Sequence, residues 1–172
     1  YAFAIDRSPS LKRSAAKTLA VALLAVLAHL QGGPALLVAA LGLSALGDAF
    51  LSQDGDKAFL GGLGSFLAAH LAYVALFVAA GGGLASLTET PWHIAAVAIM
   101  AVFALGMLCL LWPRIGSELK APVAVYVAAI FAMGTSALTT RSALVIAGAA
   151  LFMASDALLA IEKFLAEAVE RD

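Results

Sequence analysis

The sequence predicts an all-α fold, a polytopic transmembrane helical bundle with six complete spans. Three observations carry that reading. Of 172 residues, 63% are hydrophobic and 12% charged, and the mean hydropathy is +1.02, more apolar surface than a soluble domain of this length buries. The apolar residues come in long continuous runs rather than in period-two alternation, which selects helices over a closed barrel, the other fold that satisfies its backbone in lipid. Short polar or helix-breaking connectors cut these runs at intervals near the ~20 residues that a helix needs to cross a bilayer core.

Tyr1 to Ile5 reads as the tail of an apolar segment whose beginning is absent. A basic cluster (Arg7, Lys12, Arg13, Lys17) leads into the run Ala16 to Leu30, which lacks a cleavage-type ending and is followed directly by another run, so it reads as a retained span. Further runs follow at Ala35 to Leu51, Ala58 to Ala80, Trp92 to Trp112, Ala121 to Leu138 and Ala143 to Ile161. The connectors are Gln31 to Pro34, Ser52 to Lys57, Gly81 to Pro91, Pro113 to Lys120 and Thr139 to Ser142. Loops this short force antiparallel neighbours, so residues 1–172 form a single integral membrane domain. Nine of the ten basic residues fall on one side of this topology and only Arg141 on the other, which makes the first side cytoplasmic.

Composition excludes several function classes. A net charge of -1 offers no basic field to nucleic acid. The single Cys109, set in an apolar run, rules out an intramolecular disulfide and any multi-cysteine metal motif. The three histidines sit at different depths and do not suit one metal, and there is no nucleophile elbow, zinc-protease pair or phosphate loop. No metal and no cofactor is expected.

Asp48 and Asp156 are the acids well within apolar runs. An ionisable group in a span costs about 2.5–3.5 kcal/mol on the insertion scale, so its presence asks for a function or a partner. At ~1.5 Å per residue, Asp48 lies about 5 Å and Asp156 about 8 Å inside the cytoplasmic ends of their helices. Either each snorkels or bonds a neighbouring helix, or the pair carries chemistry. Phe59, Gly62, Phe66, His70 and Tyr73 recur at helical spacing and share a face of the third run. His70 is mid-span, whereas His29 and His93 fit packing residues near span ends. Tyr126 either joins a polar cluster or serves as an interfacial aromatic, and Lys17 either binds a phosphate headgroup or snorkels. The hexapeptide from Leu46 to Leu51 weakly echoes that from Ala154 to Leu159, with the acid in the same place.

The order of motifs resembles that of the lysoplasmalogenase family of YhhN-like membrane proteins. The residues that carry the resemblance are Gly47-Asp48 and Leu51; Phe59, Gly62, Phe66, His70 and Tyr73; Pro122, Tyr126 and Met133; and Gly148, Phe152, Ser155-Asp156 and Leu159-Ala160. It implies a hydrolase that cleaves the vinyl ether of a lysoplasmalogen to a fatty aldehyde and a glycerophospho-ethanolamine or -choline. The implied partners are a lysophospholipid substrate and membrane lipids, and the implied place is a bacterial inner membrane. Members usually have about eight spans, so the chain is expected to be truncated at both ends.

Vinyl ether hydrolysis asks for an acid to protonate carbon and an anion to stabilise the oxocarbenium-like cation. Two carboxyls in a poorly hydrated bundle are driven to opposite protonation states. Asp156, the deeper, is expected as the acid and Asp48 as the anion, with His70 and Tyr126 orienting water or the departing oxygen. Lys17, Tyr73 and Ser155 are the expected substrate-binding residues. Two competing readings are a small proton-coupled carrier, since paired membrane acids also relay protons, and a non-catalytic lipid-binding scaffold held together by its acids.

Overall fold

The computed structural model describes the backbone of residues 11–53 and 55–169 and the side chains within 15–53 and 55–164. Tyr1 to Ile5, Arg7, Arg171 and the side chains of Lys12 and Arg13 lie outside the described residues. Each of the six apolar runs forms one helix: α1 (Leu11–Leu30), α2 (Ala35–Leu51), α3 (Asp56–Ala80), α4 (Pro91–Leu111), α5 (Ser117–Leu138) and α6 (Ala143–Val169). A 3₁₀ turn at Leu84–Thr88 breaks the connector between α3 and α4.

The expectation of six complete spans is corrected. Among the described residues, four helical segments are long and apolar enough to cross a membrane: Asp56–Ala80, Pro91–Leu111, Ser117–Leu138 and Ala143–Phe164. The apolar stretches Ala15–Leu30 and Ala35–Leu51 are shorter. The 17 residues of α2 rise about 25 Å against a core of about 30 Å. α1 reaches 20 residues only by including Lys12, Arg13 and Lys17 in its first two turns. The insertion cost argued for Asp48 presumed a full span and does not carry over to α2; Asp156 lies in a segment of spanning length.

The chain divides into two compact units, Tyr1–Ala72 and Tyr73–Asp172, the division falling within α3. In the first unit α1 and α2 pack against each other across a tight turn, in which the Gly33 amide donates to Ala28 O at 2.8 Å. Where α2 meets α3, Gly47 lies against the ring of Phe66: a Cβ there would stand 2.5 Å from two ring carbons. Only the absence of a side chain lets these helices approach so closely.

The second unit is built around α5. Ile130, Met133 and Ala137 of α5 form a buried cluster with Ala149 and Met153 of α6, against which Tyr73, Val74 and Phe77 of α3 and Met100 of α4 pack. Half of the span window of α5 is buried, against 11% for α4 and α6, which makes α5 the central helix of this unit. The outward faces of its neighbours carry Val102, Leu144 and Leu151, 73%, 86% and 72% exposed, a surface suited to lipid and costly in water. Thr139 Oγ1, at the end of α5, shares its one proton between Ser136 O at 2.7 Å and Phe77 O of α3 at 3.0 Å, and the Gly82 amide donates to Thr139 O at 3.0 Å. These bonds fasten the ends of α3 and α5 together.

Candidate active site

In the second unit the geometry follows from helix counting. The turn Thr139 to Ser142 joins α5 and α6 as antiparallel neighbours. Tyr126 stands thirteen residues before Thr139 and Asp156 fourteen after Ser142, so equal rise carries both to the same height, about 20 Å from the turn. There Tyr126 Oη donates a hydrogen bond to Asp156 Oδ2 at 2.6 Å. Both residues are half-buried. The distance lies toward the short end of the O–H···O range, and the bond fixes the orientation of the carboxyl group. Ser155, beside Asp156, is exposed.

Tyr73 stacks on Phe77, with ring centroids 5.7 Å apart and planes 26° apart, and packs against the core cluster.

In the first unit Asp48 is half-buried on the last turn of α2. Lys17, exposed on α1, is close enough for its charge to act on the Asp48 carboxyl. His70 is 1% exposed, and its Nδ1 lies 2.5 Å from Phe66 O, one turn back on α3. A carbonyl oxygen only accepts, so Nδ1 carries the proton and donates. Phe66 is the residue that covers Gly47, so the acid-bearing turn of α2 and the histidine-bearing face of α3 are neighbours within this unit. His29 is exposed.

A model described as the YhhN family matches residues 12–171. Two curated relatives, both named lysoplasmalogenase, come from Mycobacterium bovis and Mycobacterium tuberculosis. Each is 38% identical over 137 residues, covering 75% of this chain and 50% of the relative. The chain thus spans about half the length of these relatives. No solved structure matches it. Four segments of spanning length and bacterial relatives together describe an integral bacterial membrane protein.

Proposed function

Because the chain belongs to the YhhN family, we propose that it is a lipid-modifying membrane enzyme of the lysoplasmalogenase type, cleaving the vinyl ether of a lysoplasmalogen. The observation that carries this reading is the Tyr126–Asp156 hydrogen bond, held on a helix of spanning length. Such a carboxyl is kept where it is costly and is aimed by a second side chain.

The proposed reaction begins with protonation of the outer vinyl carbon by Asp156. Tyr126 donates to Oδ2, so in the acid form the transferable proton sits on Oδ1, whose direction the tyrosine sets. Protonation leaves an oxocarbenium ion, with the positive charge shared between the inner carbon and the ether oxygen. Asp48 is the proposed anion that stabilises this charge, with His70 orienting water. Water adds to the inner carbon and gives a proton to the carboxylate left on Asp156, forming a hemiacetal and restoring the acid. The bond from that carbon to the glycerol oxygen then breaks, the oxygen takes a proton, and a fatty aldehyde and a glycerophospho-alcohol leave. Lys17 is the proposed contact for the substrate phosphate, Tyr73 and Ser155 complete the proposed binding residues, and the basic connectors support a reaction in the cytoplasmic leaflet.

The test is aldehyde release by the purified protein given lysoplasmalogen in mixed micelles. Wild type is expected to turn over, and Asp156→Asn to lose about a hundredfold or more, as removal of a general acid does. Full turnover by Asp156→Asn sinks the mechanism.

A further inference from the structure

A cavity of about 450 Å³, lined by Glu89, Thr90, Trp92, His93 and Arg141, lies at the other end of the second unit from Tyr126 and Asp156. The separation along α5 is about 20 Å at ~1.5 Å per residue. The connector from α3 to α4 builds one wall. Gly83, with φ of +72°, turns the chain into the 3₁₀ segment, and Thr90, extended, hands it to Pro91 at the start of α4. Arg141, with φ of +53° in the turn between α5 and α6, supplies the other wall and pairs with Glu89 at 2.5 Å. That ion pair is exposed on both sides, 64% and 52%, so it contributes little and opens at small cost.

Behind it sit two polar groups that the protein leaves unanswered. His93 is 2% exposed, and its Nδ1 lies 2.8 Å from Ser86 O. Facing a carbonyl, Nδ1 carries the proton, so in the neutral tautomer that this contact selects, Nε2 presents a lone pair. Nε2 is buried without a hydrogen-bond partner, and so is Thr90 Oγ1. Thr90 occupies the N-cap of α4, yet its hydroxyl caps nothing. Buried polar atoms are nearly always paired, so these two call for a partner that the surrounding side chains do not supply.

We propose that this cavity binds the phosphoethanolamine headgroup of a membrane phospholipid. A primary ammonium has three N–H donors, and the cavity offers three acceptors in His93 Nε2, Thr90 Oγ1 and the Glu89 carboxylate. Arg141 takes the phosphate, so the headgroup replaces the exposed ion pair with one bond to each partner. A quaternary ammonium has no N–H to give, and a glycerol headgroup has no cation for Glu89. Trp92, half exposed in the first turn of α4, stands where aromatic side chains lie at the level of lipid headgroups. This site is independent of the proposed hydrolysis.

The experiment is native mass spectrometry of the full chain released from nanodiscs of equimolar phosphatidylethanolamine and phosphatidylcholine. Wild type is expected to retain the ethanolamine lipid about fivefold or more over the choline lipid, and the near-isosteric Thr90→Val and Glu89→Gln to reduce that ratio toward one. Arg141→Gln is expected to lower retention of both lipids. Equal retention of the two lipids by wild type, or an unchanged preference in Thr90→Val and Glu89→Gln, overturns the proposal. Soluble phosphoethanolamine added without lipid is expected to bind at least tenfold more weakly; binding as tight as the lipid's overturns the assignment to a membrane lipid. Asp156→Asn is expected to keep the lipid preference whatever it does to aldehyde release, which separates this proposal from the reading of the active site.

Discussion

Tyr126→Phe removes one atom, the oxygen that donates to Asp156 Oδ2 at 2.6 Å, and leaves the ring in its packing against the core cluster. In the acid form that gives up the proton the carboxyl is neutral, and a hydrogen bond to it is worth about 0.5–1.5 kcal/mol. If all of it holds the carboxyl in its reactive direction, kcat falls by about two- to twelvefold, since each ~1.4 kcal/mol is a factor of ten. KM for lysoplasmalogen stays nearly constant, because the hydroxyl is engaged by the acid rather than by the headgroup. Steady-state aldehyde release in mixed micelles measures both constants. The double variant with Asp156→Asn tests whether the two residues act as a unit: with the acid gone, removing the hydroxyl costs little more, and the two single effects fail to add. A Tyr126→Phe protein with kcat indistinguishable from that of wild type, beside an inactive Asp156→Asn, refutes the positioning role. Full activity in both refutes catalysis by this carboxyl.

Asp48→Asn removes the proposed anion, and its expected effect is a fall in kcat of about tenfold or more with the thermal midpoint little changed; the same aldehyde assay and a melting curve check it. Gly47→Ala sets a methyl group 2.5 Å from the Phe66 ring and is expected to destabilise by about 1–3 kcal/mol, read as a lower melting temperature in detergent that Phe66→Leu partly restores. Thr139→Val removes the side-chain bond to Phe77 O and is expected to cost about 1 kcal/mol, read as faster proteolysis of the connector between α3 and α4 with aldehyde release unaffected.

The helices were legible in the sequence because a run of apolar residues between breakers has one way to satisfy its backbone in lipid. Span count was less legible, since it depends on where a helix stops being apolar as well as on where it stops being helical. Lys12, Arg13 and Lys17 extend α1 without extending its apolar length, and the Ser52–Gln53 end of α2 closes it at 17 residues. The height of Tyr126 and Asp156 was legible too, because both are counted from one short turn. That they touch was not, since contact depends on helix rotation, which is set by packing such as Met153 of α6 against Gly134 of α5.

The cavity at the opposite end was hidden for a different reason. His93 reads in sequence as a packing residue near a helix end, and it is buried, as packing residues are. Its unpaired Nε2 becomes evident only when the 3₁₀ turn brings Ser86 O to the other ring nitrogen. Glu89 and Arg141 are 52 residues apart, and their pairing rests on a non-glycine residue in the left-handed region at the turn between α5 and α6. That same turn sets the register of α6 against α5. One residue inserted there would rotate α6 by about 100° and shift it about 1.5 Å, carrying Asp156 off Tyr126 as well as moving Arg141 off Glu89. Both ends of the second unit therefore depend on four residues, Thr139 to Ser142, whose spacing is as much a part of the candidate site as the carboxyl it positions.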